Sequence, residues 1–226
     1  MSKVVSNGLD LTLQFKKLLG WQYSVDDIKQ CVKIGSEALS NGTLDTREHG
    51  AGLLNRLVLI EHLTLTDEKT LKDLYQILIK SGASQQINGT SVNISLEVNP
   101  LIHSIAHHTP IMFGLLLSCP SIDLNVSGFT GTPLITATGY RREDMVKALC
   151  VRFYEIDFAV SFNTTGDNSY TALTYASKYE LESIRTLIET AVNVDLPKYK
   201  NSVNNLLFDL GIPNVLIPII GLYAFF

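Results

Sequence analysis

The chain has 226 residues, enough for one or two compact domains or a short solenoid, and 46% of them are hydrophobic, which supports a sizeable core and excludes disorder by composition. Its formal charge of −4 gives no general attraction to a phosphate backbone, so nucleic acid is not expected among its partners. Three widely spaced cysteines, Cys31, Cys119 and Cys150, with no CxxC pair, exclude a disulfide framework and read as buried, reduced thiols.

In chain order, "MSKVVSNGLDLTLQFKK" lacks an apolar core followed by a small-residue cleavage site, so no secretory signal is expected. Two helices are predicted, over 9–19 and 25–39, the second with Ser24 at its N-cap. "GLLNRL" from Gly52 reads as a helix, and "LKDLYQILIKSGAS" from Leu71 as another that ends at Gly82-Ala83. In "INGTSVNISLEV", Asn88-Gly89 followed by alternating apolar residues predicts a β-hairpin.

A repeat follows. "NPLIHS" begins at Asn99, "TPLITA" at Thr132 and "TALTYA" at Thr171, with Leu101, Leu134 and Leu173 in the same place, 33 and 39 residues apart. Each is followed by a second apolar helix, "TPIMFGLLLS", "REDMVKALCV" or "LESIRTLIET", and then by an aspartate-bearing segment, "SIDLN", "EIDFA" or "VNVD". Proline suits the first helical position because it needs no N–H partner there. Thr132 is therefore expected to cap one helix, and Thr109, before Pro110, another. Ser104, Ala137 and Ala176 are small enough to let neighbouring helices approach closely. Helices are predicted over 100–107, 110–118, 133–139, 143–152, 172–178 and 181–190, with Leu134 and Leu173 buried.

These residues resemble the ankyrin repeat, whose period is about 33 residues and whose unit is two antiparallel helices with a β-hairpin-like finger. Thr132, Pro133, Leu134 and Ala137 match its Thr-Pro-Leu-His-x-Ala pattern. Asp144, Met145, Val146, Lys147 and Leu149 match its second helix. Leu181, Glu182, Ile184, Leu187 and Ile188 match in the last unit. Two departures are visible. Ile102, Ile135 and Thr174 replace the family histidine, and His108 and Arg141 stand where glycine follows the first helix. The resemblance implies an all-α helical-hairpin solenoid. Residues 1–45 would form a helical N-terminal cap, 46–195 about four repeats, and 196–226 an apolar C-terminal segment.

The function so implied is protein binding through the concave face and fingers, by a non-enzymatic scaffold or adaptor without cofactors. Carried over by position, the binding residues are His107, Phe129, Tyr140, Tyr170, Lys178 and Tyr179. The implied location is cytoplasmic. The Asn, Ile and Lys content fits an AT-rich genome, and a host-directed bacterial effector acting in the host cytoplasm is one form this expectation takes.

Other chemistry is thinly represented. His103 and His107 lie i, i+4 on one helix face and are a metal-pair candidate, but no carboxylate or cysteine stands at ligand spacing. No phosphate loop, dinucleotide fingerprint, zinc-protease or serine-elbow motif occurs. A thiol or metal enzyme is the remaining alternative, with no metal expected. From Gly211 to Phe226 the chain carries no charge, but three residues, Pro213, Pro218 and Gly221, interrupt it and it is shorter than the roughly 20 residues of a spanning helix. Docking, a partner-binding tail and membrane attachment of an adaptor all remain open for it.

Overall fold

The computed structural model describes residues 25–63, 67–93, 96–163 and 169–209. The helix expected over 9–19, its neighbour's N-cap Ser24 and the apolar run from Gly211 lie outside them. The described chain is mostly helical, with two short antiparallel β-hairpins. It divides into two compact units, Met1–Phe129 and Thr130–Phe226, and the division falls inside the stretch 46–195 that the repeat pattern marks as one array.

In the first unit, helix α1 (Val25–Ser40) buries Ile28, Cys31, Ile34 and Ala38 on one face. It stops at Gly42, φ 66°, where Thr43 N–H reaches back 2.9 Å to the Ala38 carbonyl. Helix α2 (Gly50–Leu63) is the centre of the unit, with Ala51, Leu53, Leu54, Leu57, Val58 and Ile60 buried almost all round it. Its first residue must be glycine, because a Cβ on Gly50 would stand 2.7 Å from the backbone of Ala83. Helix α3 (Glu68–Lys80) turns Leu71, Leu74, Tyr75 and Leu78 inward and packs on α1 and α2. Asp67 caps it, accepting the Thr70 N–H at 2.9 Å.

The expected hairpin is present as β1 (Ser91–Asn93) and β2 (Leu96–Val98), paired Ser91 with Val98 and Asn93 with Leu96. Asn88-Gly89 therefore lies ahead of β1 and is not the turn between the strands. Asn88 is used differently: its amide donates to the Ser121 carbonyl and its oxygen accepts the Asp123 N–H, both at 2.7 Å. Helices α4 (Pro100–His107) and α5 (Pro110–Leu117) follow. Asn99 caps α4 through the Leu101 N–H at 2.9 Å. Thr109 does not cap α5, contrary to expectation. Its hydroxyl turns back to the Ser104 carbonyl, and the Glu61 carboxylate from α2 takes the Ile111 and Met112 N–H groups instead, at 2.9 and 2.7 Å. A carboxylate suits that helix end better than a hydroxyl, because it meets the positive end of the helix dipole.

The second unit contains α6 (Pro133–Gly139), α7 (Glu143–Val151), β3 (Phe162–Asn163) paired with β4 (Ser169–Tyr170), α8 (Ala172–Lys178) and α9 (Glu182–Thr190). Thr132 and Thr171 cap α6 and α8 through Ile135 N–H and Thr174 N–H, at 3.4 and 3.2 Å. The expected break at "VNVD" is absent. Helix α9 runs on through a π-helical turn, Ala191–Asp195, into α10 (Leu196–Asp209). No glycine or proline stops it before Pro197, and Pro197 has no N–H for the carbonyl four residues back; the wide turn sits just ahead of it. The C-terminal segment thus begins as a helix, and its Tyr199 stacks on Tyr154 with ring centroids 5.1 Å apart.

One turn geometry recurs three times. His108, Arg141 and Glu180 each stand at positive φ, 52°, 56° and 55°. The residue after each, Thr109, Arg142 or Leu181, donates its N–H to a carbonyl five residues back, on Ser104, Ala137 or Ala176, at 3.0, 2.8 and 2.9 Å. Those three small residues are fully buried. Two of the aspartate segments also share a turn, in which Asp123 accepts the Asn125 N–H and Asp157 the Ala159 N–H. Leu134 is buried as expected, but Leu173 is only half-buried. Helix α8 makes its buried contacts through Ala172 and Ala176, which leaves Leu173 at the margin.

Two stability differences follow. Leu134→Ala should lower stability by about 2–5 kcal/mol, and Leu173→Ala by clearly less, in urea titrations run side by side. A residue with a Cβ in the left-handed region is strained by about 1–2 kcal/mol. Arg141→Gly and Glu180→Gly should therefore each stabilise by about 0.5–1 kcal/mol after the entropy glycine adds to the unfolded chain, and Glu180→Val should destabilise.

Candidate functional site

The end of helix α8 brings exposed Lys178 and Tyr179 together with the half-buried rings of Tyr170 and Tyr175. Its last residue, Lys178, donates from Nζ to the Tyr170 hydroxyl at 2.5 Å, and the same nitrogen lies 4.4 Å from the Tyr170 ring centroid and 5.4 Å from that of Tyr179. Tyr170 comes from β4, so the second hairpin and the helix it leads into meet at this lysine. The bond to Tyr170 raises the Lys178 pKa and keeps the ammonium charged. Tyr175, one turn before Tyr179, lies against it with centroids 4.4 Å apart and meets Tyr170 edge-on at 6.2 Å. On its other side Tyr175 faces Gly139 of α6: a Cβ there would be 3.9 Å from its hydroxyl end.

Tyr140 and Tyr179 hold equivalent places, each closing its helix just before the positive-φ residue and each 45% exposed. The i, i+4 spacing of Tyr175 and Tyr179 is the sequence signal that would have added Tyr175 to the candidates. Of the six candidates, Tyr170, Lys178 and Tyr179 are brought together, and Tyr140 belongs to the same unit. Phe129 and His107 belong to the first unit. Phe129 ends that unit and is 72% exposed.

His107 stands in a different setting, since its ring packs edge-on against both His103 and His62, with centroids 4.6 Å apart in each case. His103 bonds through Nδ1 to the Asn55 oxygen at 2.9 Å, while the Asn55 amide donates to the Val98 carbonyl at 2.8 Å. Because Asn55 presents its oxygen, Nδ1 of His103 carries the proton. Burial, together with the neighbouring His107 and His62, pulls His103 down to about 4, and His107 is lowered by burial and by His62. Among the described residues no group of three His, Cys, Asp or Glu side chains is placed to hold a metal ion.

The three thiols are buried and reduced. Burial pushes Cys31 up to about 12, and burial with Asp195 nearby pushes Cys150 up to about 11, so both stay protonated near neutrality. Among the described residues no helix is long and apolar enough to cross a membrane.

The histidine cluster makes stability depend on pH. In the unfolded chain His103 takes a proton near its ordinary 6.5; in the folded chain it does so only near 4. Between those values the unfolded state binds more protons, so the stabilisation is full above about 6.5 and is lost as pH falls toward 4. Urea midpoints should drop over that window by the equivalent of about 2–3 kcal/mol, and His103→Gln should flatten the profile.

The chain matches no protein-family model, no curated protein and no solved structure.

Proposed function

We propose that the chain is an ankyrin-type repeat protein that binds a partner protein through the exposed ends of its first helices, above all the tyrosine and lysine side chains of α8 and the end of α6. The repeat reading is supported by three successive helical hairpins closed by the same left-handed turn over a small buried residue.

The observation that carries the binding reading is the placing of Tyr170 and Tyr179 around exposed Lys178, with half-buried Tyr175 packed against both rings. Tyrosines bury a large area on binding with only two side-chain torsions to fix, and they retain a hydroxyl for a partner. Here they are already ordered against one another, so little further entropy is lost when a partner arrives. Nothing in the helix cores requires them at the surface.

The test pairs affinity capture from a eukaryotic lysate with a stability control. Proteins retained by the wild-type chain should be lost, or bound more weakly by about 2 kcal/mol or more, with Tyr140→Ala/Tyr179→Ala, at an unchanged melting temperature. Equal retention by the double variant would remove these residues from the interface. A large fall in melting temperature would assign them to stability instead.

A further inference from the structure

Lys178 is an exposed cation whose neighbours are aromatic. It forms no ion pair with any described residue, and Glu180, two residues away, is not its partner. Tyr170 and Tyr179 flank the ammonium and fix its position, which removes much of the rotamer entropy a surface lysine ordinarily loses on pairing. A tyrosine hydroxyl accepts from one of its three N–H donors, and no described carboxylate pairs with the charge. Arg141, directly after exposed Tyr140 in the same unit, is also exposed and without an ion pair among the described residues. Glu143, which follows it, accepts a hydrogen bond from the Ser183 hydroxyl at 2.8 Å.

The chain as a whole is acidic, with a formal charge of −4, so its overall field does not draw polyanions. An ordered cation with no carboxylate partner among the described residues, on an acidic protein, is a local feature suited to an anion. Resting on the protein-binding reading above, we infer that the partner presents an acidic segment, with a carboxylate seated on Lys178 between Tyr170 and Tyr179. A carboxylate fits better than a nucleic-acid backbone. A strand of phosphates would have to track a row of cations, whereas this surface offers a fixed lysine and an arginine on separate helix ends.

The experiment uses the full chain and three labelled probes read by fluorescence anisotropy: an oligoglutamate peptide, an oligolysine peptide and oligo-dT. At low ionic strength the oligoglutamate should bind, and binding should weaken as salt is raised. Lys178→Met, which keeps the aliphatic stem and removes the charge, should reduce its affinity about tenfold, and Lys178→Arg should retain most of it. The melting temperature of each variant is measured alongside, and unchanged melts are expected because Lys178 is exposed.

Three results overturn the inference: no oligoglutamate binding, binding that Lys178→Met leaves intact, or tighter binding of oligo-dT than of oligoglutamate. The first two leave the protein-binding reading standing if Tyr140→Ala/Tyr179→Ala still loses captured proteins. Loss of oligoglutamate binding in Lys178→Met together with full capture by the tyrosine variant would place the acidic site correctly and the aromatic interface wrongly.

Discussion

In the hairpins α4–α5, α6–α7 and α8–α9 the fold depends on how closely two consecutive helices can be folded back on one another. Ser104, Ala137 and Ala176 stand where a larger side chain would hold the turn open, and each offers its carbonyl to the N–H five residues on. Closing that bond requires the intervening residue to adopt a left-handed conformation, which His108, Arg141 and Glu180 do at some strain. The strain persists because the buried small residue, the N–H bond and the following helix all specify the same geometry. A hairpin built this way presents its last first-helix residue, His107, Tyr140 or Tyr179, immediately before the turn. The constraint that closes the hairpin therefore also sets the positions available at its exposed end.

Around this turn, the first unit is held together by polar side chains that reach across the sequence. Glu61 caps α5, some fifty residues later. Asn88 clasps the Ser121–Asp123 backbone, Asn99 caps α4 while also facing the Ile87 and Gly89 carbonyls, and buried Thr46 meets Ser81 at 2.9 Å. Each satisfies backbone groups that a helix end or a loop would otherwise leave unpaired. Central α2 is apolar nearly all round, so these polar contacts at its ends and flanks define which elements pack on it, while burial supplies most of the stabilisation.

The second unit is drawn differently. Hydroxylic residues share the buried side of α6 with Leu134 and Ile135: Thr136 and Thr138 are buried and bonded, Thr132 caps the helix, and the unit's described tyrosines are half-buried or exposed. Tyr175 spans from Gly139 to Tyr179, and Lys178 is set between Tyr170 and Tyr179. Such a surface is ordered before any partner is met. A second aromatic group, Phe153, Tyr154 and Tyr199, ties α10 to the segment that follows α7, with Tyr154 itself still exposed.

The sequence by itself determined the helical hairpins. Thr-Pro and Asn-Pro starts, apolar spacing and the small residues at 104, 137 and 176 act within a few residues, so α4, α6 and α8 fall where the pattern predicts them. The candidate cluster is legible in part: Tyr170, Lys178 and Tyr179 follow from repeat position and Tyr175 from its i, i+4 spacing to Tyr179, whereas the approach of Tyr175 to Gly139 of another helix is a tertiary feature. Only the tertiary structure decided that Glu61 and not Thr109 caps α5, that Asn88 clasps a distant loop, and that His107 packs among imidazoles. It also decided that α9 continues into α10, with a π turn ahead of Pro197. Local propensity and spacing are properties of neighbouring residues. Which carboxylate reaches a helix end, or which ring meets which cation, is settled by elements tens of residues apart packing together, and no short window of sequence carries that information.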